Sequence, residues 1–118
     1  MNINWRLCSH IVRVWRDPAG GASQGALIEE ISENGVRLSS DIRYELAEKL
    51  TLDAGEDVFP VEVIRSVERD GEYVTEARFR GGYVWSVARW KPNHLYSIPA
   101  ASSEERPPAA ASRDDRPD

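Results

Sequence analysis

The chain has 118 residues and a mass of 13.3 kDa, which is enough for one domain with a modest core. Its formal net charge of -5 and its pI near 5.1 oppose nucleic-acid binding driven by bulk positive charge. The sequence has one cysteine, no apolar run long enough to span a bilayer and no signal-peptide pattern at its start. We therefore expect a cytoplasmic protein without an internal disulfide and without membrane insertion.

Residues 1–99 are predicted to form an all-β domain, because short runs of β-branched and aromatic residues alternate with turn sequences. Six antiparallel strands are predicted, over residues 10–16, over 26–32, around 36–39, around 50–52, from 59 onward, and over 73–80. Asn34-Gly35 and Asp70-Gly71 predict the tight turns before the third and the sixth strand. The alternation of the fifth strand breaks at Ile64, which predicts a change of register there.

Three segments do not fit the pattern of strands. Residues 41–49 contain good helix formers and could make one helical turn, but they are too few for a helix without tertiary support. Residues 84–96 are rich in aromatic side chains and predict a short C-terminal helix, in which Pro92 suits either the end of a helix or the first position of a new short one. We expect Trp85, Trp90 and Leu95 to cover an open end of a barrel. The Pro/Ala-rich residues 100–118 predict a disordered tail.

No catalytic constellation emerges from the chemically reactive residues, and we predict that the chain is not an enzyme. Cys8 and His10 would share one face of a strand, but no third group is indicated that could orient the histidine. His10 and His94 lack a recognisable metal-ligand spacing. Alternation places Glu29 and Glu30 on opposite faces of the second strand, where they cannot flank one substrate.

The sequence Glu30-Ile31-Ser32-Glu33-Asn34-Gly35, at the end of the second predicted strand, is the strongest candidate for a binding site. Alternation puts Glu30 and Ser32 on one face. A carboxylate and a hydroxyl side by side can form hydrogen bonds with the polar edge of a guanine. Gly35 permits a positive φ in the following turn.

Here the sequence resembles the PilZ domain family, whose members often bind the bacterial second messenger cyclic di-GMP. The second motif of the family is an Asp or Asn, any residue, Ser, two residues and Gly, and Glu30, Ser32 and Gly35 occupy those places. The order of the predicted strands over about residues 6–79 fits the family as well. The resemblance implies a six-stranded antiparallel PilZ-like β-barrel and a role in second-messenger signalling.

The first motif of the family, two arginines separated by three residues before the first strand, is incomplete in this chain. Arg6 stands in the first place and His10 in the second. The resemblance thus implies a degenerate site made of Arg6, His10, Glu30, Ser32 and Gly35, which binds cyclic di-GMP weakly and relays the signal to an unidentified protein partner. It implies no cofactor and no metal.

Two other functions are compatible with the sequence. Family members with a damaged first motif often resemble adaptors, so a PilZ-like interaction domain that binds protein and no nucleotide is one alternative. A small barrel that stacks single-stranded nucleic acid on Trp5, Trp15 and tyrosine side chains is the other, and the acidic balance of the chain opposes it. We therefore expect no nucleic-acid partner.

Overall fold

Six antiparallel strands close into one barrel in the computed structural model, which describes residues 4–17 and 21–96. The strands are β1 (Arg6–Asp17), β2 (Gln24–Ile31), β3 (Gly35–Ser40), β4 (Lys49–Asp53), β5 (Val58–Arg69) and β6 (Glu72–Phe79). Their order around the barrel is β1-β2-β3-β6-β5-β4, so the first strand pairs with both the second and the fourth. The prediction of an all-β domain with six antiparallel strands is confirmed.

The core fills the inside of the barrel with side chains that alternate along each strand. Alternate positions of a strand face the same side of a sheet, so each strand sends every second side chain inward. The inward side chains are almost entirely β-branched or aliphatic, with one phenylalanine: Val12, Val14, Ile28, Ile31, Val36, Leu38, Leu50, Leu52, Phe59, Val61 and Val63. Burial of this apolar surface is the main stabilising contribution to the fold.

The register shifts in three strand pairs, and one of these shifts lies at the start of β1, between Leu7 and His10. The other two change which side chains face the outer surface. On β5 the register against β6 shifts between Val63 and Arg65, which confirms the break predicted at Ile64. On β2 the register against β3 shifts between Ile28 and Glu30, with Glu29 as the extra residue. The prediction that Glu29 and Glu30 lie on opposite faces is wrong, because the bulge turns both side chains toward the same outer groove.

The segment after β6, residues 81–96, covers one end of the barrel and is named the closing segment here. It consists of successive turns and contains no helix, so the predicted short C-terminal helix is not observed. Its backbone is instead hydrogen-bonded to the barrel: Trp85 N–H donates to Glu33 C=O at 3.2 Å, and Tyr96 N–H donates to Leu7 C=O at 2.9 Å. Trp85 and Trp90 are buried against the core, as predicted for this cover.

The remaining predictions concern segments outside the strands. Residues 41–48 form bends and a turn with Ala47 at φ +67°, so the single helical turn considered there is not present. The tail over 100–118 lies outside the described residues. Within the described residues, no helix of the length and apolarity needed to cross a membrane is found.

Candidate ligand-binding site

Ser32 organises the connection between β2 and β3 with its own hydroxyl group. The Ser32 Oγ atom accepts hydrogen bonds from the backbone N–H groups of Asn34 at 3.1 Å and Gly35 at 3.2 Å. The Ser32 backbone N–H donates to Gly35 C=O at 2.9 Å. Ser32 is 1% exposed, so its hydroxyl stabilises the turn. Alternation predicts that this hydroxyl lies beside Glu30 on an open strand face, and that prediction is wrong.

Gly35 is required by the close approach of two strands. Its φ is not positive, so the prediction that the turn uses the left-handed freedom of glycine is wrong. A Cβ atom built on Gly35 would collide with the backbone oxygen of Ala77 and lie 3.0 Å from the Cα atom of Arg78. Because both atoms belong to the β6 backbone, β3 can pair with β6 at this point only when the residue has no side chain.

Glu30 faces the outside of the barrel and is held by an arginine of the next strand. Arg37 Nη1 donates to Glu30 Oε1 at 2.5 Å, and Arg37 Nε lies 3.5 Å from Oε1 of Glu76. The Trp5 ring lies over the guanidinium of Arg37 at 4.1 Å from the ring centroid, an attractive cation–π arrangement. Since Trp5 precedes β1 and Arg37 lies on β3, the N-terminal residues reach across β2 at this end of the barrel.

Arg6 begins β1 directly beside the motif. It lies opposite Ile31 in the β1–β2 pair, and its neighbour Leu7 lies opposite Glu30. The Arg6 Nε group donates to Tyr96 C=O at 3.0 Å, which positions the guanidinium against the closing segment. The backbones of Arg6, Glu30 and the Ser32–Gly35 turn therefore lie near one rim of the barrel, but the Arg6 side chain shares the face of its partner Ile31 and not that of Glu30.

His10 lies inside the barrel and is occupied by the backbone of other segments. It is 6% exposed, with Nε2 2.8 Å from Ala54 C=O and Nδ1 accepting from Asn93 N–H at 3.0 Å. Its ring is also 5.1 Å from the ring of Trp90. This arrangement fits a neutral imidazole that ties the closing segment to β1, and it leaves no ring nitrogen for a ligand.

Cys8 is buried, as is His10. Burial, together with the negative charges of Glu30 and Glu29, raises the pKa of the Cys8 thiol to about 12. The thiolate is the nucleophilic form, so a protonated Cys8 at neutral pH is a poor nucleophile. Because both nitrogens of His10 are already used, that side chain is not available to activate the thiol.

An outer groove of about 330 Å³ runs from the motif across β3, β6 and β5. Its charged walls are three arginines and three glutamates: Arg37, Arg65, Arg69, Glu29, Glu30 and Glu76. Val67 and Val74, paired across β5 and β6, give it an apolar floor. Of these residues, only Glu30 is predicted from the sequence as a ligand-binding residue. The others come together through the strand register, which depends on the bulges in β2 and β5.

Comparisons with known proteins add no family to this geometry. No protein-family model matches the chain, and no curated protein matches it. Among the described residues, no group of three or more His, Cys, Asp or Glu side chains could hold a metal ion. The candidate site is therefore defined by the rim and the outer groove.

A second polar cluster fastens the closing segment to the barrel, and we name it the clasp. Asp57 Oδ2 accepts from the Tyr83 hydroxyl at 2.7 Å and from Arg89 Nε at 2.8 Å, while Trp90 Nε1 donates to the Tyr83 hydroxyl at 3.0 Å. Partial burial alone would raise the pKa of Asp57, but hydrogen bonds from Tyr83, Arg89 and the Val58 N–H lower it below its ordinary value. Burial and the bond to Asp57 raise the pKa of Tyr83 to about 12.

Proposed function

We propose that the chain is a PilZ-like signalling module that binds cyclic di-GMP weakly and relays the signal to a protein partner. The observation that carries this proposal is the place of the motif in the fold. The Glu30-x-Ser32-x-x-Gly35 turn joins neighbouring strands of a closed six-stranded barrel, and Arg6 begins the adjacent strand opposite Ile31. Arg6 and the second motif thus lie on adjacent strands near one rim of the barrel, where Ser32 and Gly35 are buried in the turn and Glu30 faces the outer groove.

The exposed chemistry of that rim suits a guanine nucleotide. Glu30 engages Arg37 through one carboxylate oxygen, and no described residue is hydrogen-bonded to the other. A carboxylate oxygen can accept from the N–H groups of a guanine edge. Arg6 uses Nε for Tyr96, and a guanidinium has further N–H donors that can bind a phosphate. Ser32 and Gly35 hold the turn that presents Glu30, so they act by shaping the site.

Weak affinity follows from His10. A second guanidinium at this place would grip phosphate in a bidentate manner, whereas the His10 ring is buried and hydrogen-bonded to backbone at both nitrogens. Loss of one charged contact costs about 1.5–3 kcal/mol, or roughly 10- to 100-fold in affinity. We therefore expect a dissociation constant well above that of a site with two arginines.

Isothermal titration calorimetry with cyclic di-GMP tests the proposal, and cyclic di-AMP is the matched ligand control. Adenine lacks the N1–H and N2–H donors that a Glu30 carboxylate would accept, so only the guanine ligand should bind. Arg6→Ala should abolish the heat of binding. Arg13→Ala, which removes an arginine from the outer face of β1 beside Ser23, should leave the heat unchanged. Equal binding of both ligands, or no binding by a folded protein, would refute the proposal.

The second candidate function is a nucleotide-independent adaptor. It is favoured by the internal hydrogen bonds that occupy His10 and the Ser32 hydroxyl. The same calorimetric experiment separates the two functions, because an adaptor of this kind gives no heat with either dinucleotide while circular dichroism shows the native β-structure.

A further inference from the structure

The outer groove contains one arginine, Arg65, that is not within ion-pair distance of a carboxylate among the described residues. Arg69 Nη2 lies 3.0 Å from Oε2 of Glu29, and Arg37 lies between Glu30 and Glu76. Arg65 forms no ion pair or hydrogen bond with any described residue, although its backbone lies opposite Glu76 in the β5–β6 pair. It is exposed at the wall of the groove, on the strand farthest from the motif.

The charged residues of the groove form a row across four strands. In the strand registers Glu30 lies opposite Arg37, Arg37 opposite Glu76, and Glu76 opposite Arg65. Arg37 forms ion pairs with Glu30 and Glu76, whereas the guanidinium of Arg65, at the end of the row, forms none with a described residue. An exposed guanidinium beside a concave surface is a ready site for a phosphate group.

The floor of the groove suits a flat aromatic base. Val67 and Val74 are directly paired across β5 and β6 and are both partly exposed. A purine laid on this pair would cover apolar surface while its phosphate reaches Arg65. The span of the row also fits a ligand with two bases and two phosphates: Glu30 and Arg65 are three strand steps apart, or about 14 Å at a spacing of about 4.8 Å.

We infer that Arg65 supplies the phosphate-binding guanidinium that the first motif lacks at His10, with one base of the ligand lying over Val67 and Val74. This inference rests on the proposed function and adds to it a residue and a surface outside both motifs. The ligand would extend from the rim, where Arg6 begins β1, past Glu30 and along the outer groove to Arg65 on β5.

The test is calorimetric titration of the full chain with cyclic di-GMP, using Arg65→Gln and the matched control Arg13→Gln. Both changes remove one positive charge from an exposed strand position, but Arg13 lies on β1, outside the strands that form the groove. We expect Arg65→Gln to weaken binding about 10- to 100-fold and Arg13→Gln to leave it unchanged. Arg65→Lys keeps the positive charge but lacks the paired N–H donors of a guanidinium, so its affinity should lie between those of the wild type and Arg65→Gln.

Failure of this inference is distinguishable from failure of the proposed function. If the wild-type chain binds, Arg6→Ala abolishes binding and Arg65→Gln binds normally, the assignment of Arg65 is overturned and the function stands. If the wild-type chain does not bind, both are overturned. Thermal unfolding of each variant, monitored by circular dichroism, shows whether a loss of binding reflects the groove or the fold.

Discussion

Replacing Gly35 with alanine should destabilise the barrel, because the added methyl group has no space. It would meet the backbone oxygen of Ala77 and the Cα atom of Arg78, the latter at 3.0 Å. Neither atom can move as a flexible side chain does, so relief requires β3 to separate from β6. Overpacking of this kind costs about 1–3 kcal/mol, and weakening one or two strand hydrogen bonds adds about 1 kcal/mol each.

We therefore expect Gly35→Ala to lower the free energy of unfolding by about 3 kcal/mol. Gly25→Ala is the matched control, since Gly25 also lies in a strand, has no heavy atom within 4 Å of a built Cβ and does not have a positive φ. Reducing the freedom of the unfolded chain at that position should stabilise the protein by about 0.4–1 kcal/mol. The two variants carry the same chemical change and should move stability in opposite directions.

Urea unfolding followed by tryptophan fluorescence measures the difference. With a slope of about 2 kcal/mol/M, the midpoint of Gly35→Ala should fall by about 1.5 M and that of Gly25→Ala should rise slightly. Equal midpoints for the two variants would refute the close approach of β3 and β6 as the reason for glycine at position 35. A fall in the midpoint of Gly35→Ala alone would show that Gly35, the last residue of the motif, acts through strand packing.

Three further expectations concern the clasp, the thiol and a buried hydroxyl. Hydrogen bonds lower the pKa of Asp57 in the folded state, so its carboxylate contributes stability that is present above the unfolded value near 3.8 and is lost as the pH falls through the lower folded value. Asp57→Asn should therefore flatten the acid side of a stability–pH profile obtained by urea unfolding, and an unchanged profile would contradict the clasp. The folded protein should react with a thiol reagent only as fast as it opens, because the Cys8 side chain is buried, and that burial also raises the pKa of the thiol to about 12; rapid labelling without denaturant would show that the thiol is accessible. Thr75→Val should raise the free energy of unfolding by about 1 kcal/mol, since the Thr75 hydroxyl is buried without a hydrogen-bond partner among the described residues; a decrease would mean that a bound water satisfies it.

The strands could be predicted from the sequence because their signals are local. Alternation along β6, the Asp70-Gly71 turn and the break at Ile64 each depend on a few neighbouring residues, and all three are found in the structure. The Asp70-Gly71 turn has positive φ at both residues, as its sequence predicts. The helix predicted in the closing segment is absent, and the aromatic side chains of this segment have no strand or turn period from which its true conformation could be predicted. Its backbone partners, such as Leu7 and Glu33, are distant in sequence.

The candidate site was predicted only in part, for two physical reasons. A bulge adds one residue to one strand and so changes which side chains share a face. The residue types around Glu29 do not predict a bulge, so the faces of Glu29, Glu30 and Ser32 could not be assigned correctly from the sequence. The groove residue Arg65 is placed by the register of three strand pairs in succession, each of which must be known. The motif predicts His10 as a ligand residue, but its side chain is buried by contacts with Asn93 and Trp90 of the closing segment, which lie far away in the sequence.

The meeting of the two ends of the described chain has a consequence for how the protein folds. Tyr96 and Asn93 supply partners to the bulged start of β1, and the His10 contact with Asn93 spans 83 residues of sequence. During synthesis β1 is therefore made first, whereas its partners Asn93 and Tyr96 are made only after all six strands. Contacts between residues so far apart in sequence have a high entropic cost of loop closure and slow folding.

The same closeness of the two ends makes the folded barrel suitable for circular permutation, with Tyr96 linked to the residues before Arg6 and new ends opened at the exposed Asp70-Gly71 turn. In such a permutant β1 would follow the closing segment directly, so the contact between His10 and Asn93 would become local in sequence.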